Sequence, residues 1–367
     1  MRKKPTSQNR GIYYSFKKDR ERYPDAWCYI IIGGRNTGKT YGTLDVYREE
    51  EQSIVFVKRS NEDIDTICAG NTLGKKGAEY EIDLSPYKAI NRDKGCHIKA
   101  FKIKNGLGGF YDTKEDGAAT GKPIAYGVSL YAVNKIKGFD LSECSAMVFD
   151  EFIPQPWERI NRKEGEQLMD LYKTIARDRT LRGRDELKLI CLANAVNVFN
   201  PVCEILEVTD LISEMAARHR ETYYDKEKRI FIRMLRTSDE MMEAEKQTGI
   251  YKAMANTNWG QMAFDNRFGY NDFSQIRSLA LKGYRPLCSL THKLKTWYIY
   301  YNDEGFYMTD SPAKVDDAYD LNTESGQKAF YYDKVIDLQE ATIERRMWYK
   351  SYTMYDLIMN YRKRFII

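Results

Sequence analysis

Residues 31–42 read IIGGRNTGKTYG, and the fold turns on how that stretch is interpreted. An apolar run, WCYIII at 27–32, leads into a glycine-rich turn that closes on Lys39 and Thr40. This is the spacing G-x-x-x-x-G-K-[ST], placed where a buried strand hands over to a helix. Gly33, Gly34, Arg35, Asn36, Thr37 and Gly38 form a turn whose backbone N–H groups can point at phosphate oxygens, and the following helix N-terminus adds positive potential. Lys39 then reaches the β- and γ-phosphates of ATP, and the Thr40 hydroxyl takes Mg²⁺. The alternative is a glycine turn carrying a lysine by chance, and the strand-turn-helix context speaks against it.

A phosphate loop needs a carboxylate at the tip of a neighbouring strand. SAMVFDEF, 145–152, supplies an apolar run ending in Asp150 and Glu151. Asp150 is placed to hold Mg²⁺ and Glu151 to polarise an attacking water. CLANAV, 191–196, ends another apolar run with Asn194, which can sense the γ-phosphate or can simply cap the next turn. ARDRTLRGR, 176–184, brings Arg177, Arg179, Arg182 and Arg184 to a helix end, where cations also complement the helix dipole.

Buried strands at 27–32, 53–60, 123–133, 145–152 and 186–195, with a helical period at 166–179, predict a mostly parallel sheet covered on both faces. The expected fold class is α/β: a P-loop ATPase domain of the additional-strand, catalytic-glutamate type over 1–207. Residues 70–124, rich in glycine and lysine around a hairpin at CHIKAFKIKNG, elaborate that core. Residues 208–255, charged and Met-rich, are expected to form a helical linker or lid. Residues 256–367 are expected to form a smaller α+β domain, with a hairpin at TWYIYYNDEGFYMTDS and a basic helical end.

Composition narrows the function classes. The chain has 367 residues, enough for about two domains at about 100–200 residues each. No run of about 18 apolar residues exists to span a membrane, and the basic N-terminus lacks the apolar middle of a signal peptide. Seven scattered cysteines without a CxxC pair fit reduced thiols, and three well-separated histidines make no zinc set. The net charge of +5 conceals 58 basic and 53 acidic residues, which permits a nucleic-acid partner.

GGRNTGKT, FVKRS, MVFDEFI, IARDR and CLANAVNVFNP, in this order and spacing, resemble the DNA-encapsidation ATPases of small phi29-like tailed phages. The likeness covers most of the chain and is most specific in the first domain. It implies an ATP-driven motor that moves viral double-stranded DNA into a preformed procapsid through the portal. It also implies a homo-oligomeric ring, expected to be a pentamer, in the cytoplasm of the infected bacterium and transiently at the portal vertex. A scaffold RNA is left open as a further partner, and no membrane is involved.

By the same resemblance Lys39 and Thr40 match the phosphate-loop pair, Asp150 and Glu151 the magnesium and catalytic acids, and Arg177 the arginine acting in trans. Arg179 competes with Arg177 for that role. Lys58 and Arg59 match a basic pair after the second strand, at an interface or phosphate. Lys137 falls in the loop before the acidic strand, which faces DNA in the family's ring; Lys135 and Lys137, in NKIKGF, are candidates to contact DNA phosphates, or are two solvated lysines before a strand, with Lys75 and Lys76 next in line. The family's terminal domain is similar to an RNase H-like nuclease that has lost its catalysis, and Asp303 and Asp310 here are expected in turns. Two other readings use the same phosphate chemistry: a cellular helicase or DNA-pumping ATPase, and a non-hydrolysing DNA-binding assembly factor.

Overall fold

Five consecutive apolar residues make β1 (Cys28–Ile32), and all five are buried, as a strand flanked by strands on both edges and covered on both faces must be. In the computed structural model β1 lies between β7 (Lys188–Ala193) and β9 (Ile230–Met234), parallel to both. The structure describes residues 13–73, 83–132, 138–155, 157–158, 161–264, 268 and 271–365.

The remaining strands of the large sheet are β2 (Ile54–Lys58), β3 (Ile98–Lys104), β4 (Leu107–Thr113), β5 (Ala119–Ser129), β6 (Ala146–Asp150) and β8 (Thr222–Asp225). Nine strands run in the order β3-β4-β5-β2-β6-β7-β1-β9-β8. The six from β5 to β9 are mutually parallel, and antiparallel partners extend both edges. β7 stands between the strand that carries the phosphate loop and the strand that carries the two acids. That inserted strand is the topology expected of the additional-strand class.

The chain divides into two compact units, Met1–Leu206 with Arg218–Tyr270, and Glu207–Ala217 with Asn271–Ile367. Three sequence expectations change. Residues 208–255 are not a helical linker throughout: β8 and β9 complete the large sheet, because IFIRM at 230–234 is apolar enough to be buried beside β1. The helix Thr209–Ala217 belongs with the second unit, where the Asp210 carboxylate accepts from the Thr353 N–H at 2.8 Å. Within the first unit the helices Asp239–Lys246 and Gly249–Met254 keep the expected helical character, and Asn258–Phe264, assigned above to the terminal domain, lies in that unit as well.

The second unit is α+β. Its sheet runs β13 (Asp317–Asp320), β10 (Arg285–His292), β11 (Lys295–Asn302), β12 (Gly305–Thr309), β14 (Met347–Tyr349). β10, β11 and β12 form an antiparallel meander, with β13 parallel to β10 and β14 parallel to β12. β14 interrupts the terminal segment expected to be helical. Cys288, Ile299, Met308, Phe330, Leu338 and Leu357 form its core. All seven cysteines of the chain are free thiols.

Candidate nucleotide site

The phosphate loop starts where β1 ends. Gly33 donates its N–H to the Ala193 carbonyl at 3.0 Å, so the loop leaves the sheet still registered against β7. A Cβ on Gly33 would lie 2.9 Å from Cβ of Leu235, which explains glycine there by close approach. Gly38 has φ +84° and precedes the helix Lys39–Glu49, so a side chain at that position would be strained by its backbone alone. Thr37 ties the loop to itself, its hydroxyl donating to the Gly34 carbonyl at 3.0 Å. Arg35 and Asn36 are exposed at the tip.

Lys39 turns its ammonium into the loop. Nζ donates to the carbonyls of Gly33 and Gly34 at 3.0 and 2.7 Å and to Asn194 Oδ1 at 3.3 Å. Asn194 follows β7 directly, so it stands beside Lys39 because β7 is the strand next to β1. Burial pushes the Lys39 ammonium down to about 8, against the pull of Asp150 and Glu151. A cation held this far below its ordinary range gains from an anion placed beside it.

Thr40, in the first turn of the same helix, donates its hydroxyl to Asp150 Oδ1 at 3.0 Å, across the width of β7. A hydroxyl and a carboxylate are hard oxygen donors, and Mg²⁺ favours that donor set. Lys58, at the end of β2, places Nζ 3.0 Å from Asp150 Oδ2 and 2.7 Å from Glu151 Oε2. Burial opposes its charge, but the two carboxylates outweigh burial and raise it. β2 and β6 are parallel neighbours in register at Val57 and Phe149, and strands about 4.8 Å apart bring residues at their ends within ion-pair reach. Lys58 is thus a partner of the acids.

Arg59 differs from its neighbour. Its guanidinium is buried, bonded through Nε and Nη2 to Glu164 and through Nη1 to Glu158. The helix Glu164–Ala176, which Glu164 opens, ends just before Arg177, whose φ is +41°. The Arg177 side chain is 37% exposed; it donates to the carbonyls of Phe139 and Thr174 at 2.8 and 3.2 Å. Arg179 points inward, bonded to the Cys144 carbonyl at 2.7 Å, with burial lowering its pKa. Of the two arginines only Arg177 presents its guanidinium to the surface. Lys75, Lys76, Lys135 and Lys137 lie outside the described residues.

Two neighbours of the loop carried no sequence signal. The Tyr14 N–H bonds the Thr37 carbonyl at 3.0 Å, strapping the chain before the first helix across the loop. On the other side the Thr237 hydroxyl donates to the Phe264 carbonyl at 2.8 Å, and a Cβ on Gly34 would lie 3.3 Å from the Ala263 carbonyl oxygen. Both contacts are made by backbone or by common side chains, so no residue pattern announces them.

Residues 113–366 match the family model of the podovirus DNA encapsidation protein (Gp16). The chain belongs to that family. Membership places it in phage DNA encapsidation; the matched stretch begins after the glycine-rich loop 33–40. Among solved structures the fold is similar to the bacteriophage Phi-29 viral genome packaging motor assembly, at 17% identity and a TM-score of 0.63, covering 96% of this chain and 99% of that one. It is also similar to the Phi-28 gp11 DNA packaging motor, at 16% identity and a TM-score of 0.56, covering 97% and 98%. A comparison with curated protein sequences finds no match. Among the described residues no helix is long and apolar enough to cross a membrane.

Proposed function

We propose that this protein is an ATP-driven motor that moves double-stranded DNA into a procapsid through the portal. The observation that carries the reading is the single cluster at the strand ends, Lys39, Thr40, Asn194, Asp150 and Glu151, in a chain of an encapsidation family. Lys39 and the loop N–H groups bind the phosphates. Thr40 and Asp150 would hold Mg²⁺, which supplies charge neutralisation at the β- and γ-phosphates. Asn194, already bonded to Lys39, orients the γ-phosphate or the water. Glu151 accepts a proton from that water as it attacks. In the arrangement described the Glu151 carboxylate is paired with Lys58, so that ion pair opens before the acid can act as a base.

The motor works as a homo-oligomeric ring, a pentamer, in the cytoplasm of the infected host and at the portal vertex. Arg177, exposed at its helix end, completes the site of the neighbouring subunit in trans. Lys135 and Lys137 contact DNA phosphates, and neutralising both reduces the salt dependence of binding by about one unit of slope per lost contact. The second unit is read as a vestigial nuclease-like domain. The test is packaging with purified components: chain, procapsid with its portal, DNA and ATP. Nuclease-protected DNA that requires hydrolysable ATP supports the motor. ATP turnover with unwinding of forked DNA and no protected DNA supports a helicase, and protection without turnover supports an assembly factor.

A further inference from the structure

We propose that Arg59 is the positioning residue of the hydrolytic acid: its buried guanidinium locks the turn at Glu151 and Phe152 that aims the Glu151 carboxylate, and ties that turn to the helix ending at Arg177. The inference rests on the reading of Glu151 as the base.

Glu151 follows β6 with φ +61°, a left-handed backbone that a residue with a side chain keeps only where its surroundings impose it. Arg59 Nη2 donates to the Glu151 carbonyl at 3.1 Å and to the Phe152 carbonyl at 3.0 Å. From the opposite side the Phe152 N–H donates to the Leu192 carbonyl of β7 at 3.1 Å. The turn is therefore gripped between β7 and one guanidinium.

That guanidinium is itself fixed. Nε donates to Glu164 Oε2 at 2.9 Å and Nη2 to Glu164 Oε1 at 3.1 Å, while Nη1 meets Glu158 Oε2 at 2.9 Å. The Glu164 side chain is wholly buried; burial pushes its carboxyl up and the bidentate arginine pulls it back. A buried ion pair is weak evidence for stability and better attested as a device that specifies one arrangement. Here the arrangement specified is the 151–152 turn. The Arg59 carbonyl in addition accepts from the Ser129 hydroxyl at 3.3 Å and the Tyr131 N–H at 3.4 Å, so the end of β5 is anchored to the same residue.

Successive side chains at the end of a strand point to opposite sides, and this splits the pair Lys58–Arg59. Lys58 faces the acids' carboxylates; Arg59 faces the backbone behind them. Lysine cannot replace Arg59, because a point charge cannot span two carbonyls and a bidentate carboxylate at once. A misplacement of about 1 Å at a reacting group costs about 10²-fold in rate.

The test uses Arg59→Lys in the full chain, with Arg59→Gln/Glu164→Gln as a neutral pair of similar size should the single variant fail to fold. In the nucleotide-free protein, hydrogen exchange of the segment 150–153 is expected to quicken while the strand amides of β1 keep their protection. With ATP, kcat is expected to fall by about 10²-fold with ATP affinity within about two-fold of wild type. In a Glu151→Gln background the same Arg59 change is expected to add no further loss. Unchanged exchange at 150–153, unchanged kcat, or an undiminished loss in the Glu151→Gln background overturns the proposal. If Glu151→Gln hydrolyses ATP like wild type, the reading of Glu151 fails, and exchange alone still decides whether Arg59 holds the turn.

Discussion

The two sheets put the same residue types to different uses. At the ends of β2 and β6 in the large sheet, cations and carboxylates from different strands converge: Lys58 on Asp150 and Glu151, and Thr40 on Asp150, within 3.0 Å. In the five-stranded sheet the acids at strand ends sit in turns or in single ion pairs. Asp303 sits in the tight β11–β12 turn, Asp320 accepts from the Asn322 N–H two residues on, and Asp310 pairs with Lys350 at the end of β14. Parallel strands share one C-terminal edge, so several loops present side chains to one place; an antiparallel meander sends successive strand ends to opposite edges. Topology thus decides whether carboxylates and cations from several strands gather at one edge.

Substitutions at five positions sharpen this contrast. Lys39→Ala should have the largest effect, removing ATP binding and hydrolysis together, measured by nucleotide titration and phosphate release. The same lysine gives a pH signature without nucleotide. Its native pKa of about 8 lies below the 10.5 of the unfolded chain, so between these values the unfolded state binds more protons. Wild-type stability relative to Lys39→Met should therefore climb from pH 8 to about pH 10 and be lowest, and flat, below pH 8. A difference that does not vary across that window would mean the ammonium is not penalised by burial.

Arg177→Ala comes next. An arginine supplied to a transferring phosphoryl group is worth about 10³–10⁵ in rate, so turnover in assembled rings should collapse while ATP binding and the melting temperature hold. Glu151→Gln should cost about 10²–10⁴ in kcat and leave MgATP binding intact, as expected for loss of a general base. The smallest effect belongs to the other sheet. Asp303→Asn with Asp310→Asn should leave ATP hydrolysis within about two-fold, in line with exposed surface substitutions. A loss there comparable with Glu151→Gln would erase the contrast between the two sheets.

The sequence disclosed what local pattern encodes. A glycine turn between an apolar run and a helix marks Gly33 to Thr40, and the apolar run before Asp150 marks an acid-tipped strand. Strand order is not local, yet the inserted β7 was within reach, because catalytic glutamate and inserted strand travel together in one ATPase class. What stayed hidden depends on neighbours distant in sequence. β9 looked like part of a charged linker until β1 buried it, since its four apolar residues surround Arg233 and are flanked by charge on both sides. Arg59 looked like half of a basic pair at an interface or phosphate, because its fate is set by Glu164, 105 residues away. The choice between Arg177 and Arg179 required knowing which way each turns after the helix ends.

The central claim is that hydrolysis at one subunit's Glu151 depends on Arg177 of its neighbour, and mixing two impaired subunits tests it most directly. Arg177→Ala and Glu151→Gln chains, each nearly inactive alone, are combined under conditions in which mixed rings demonstrably form. A Glu151-intact site beside an Arg177-intact neighbour should restore ATP turnover in proportion to the number of such junctions. No recovery in mixed rings, together with normal turnover by Arg177→Ala alone, would contradict the account.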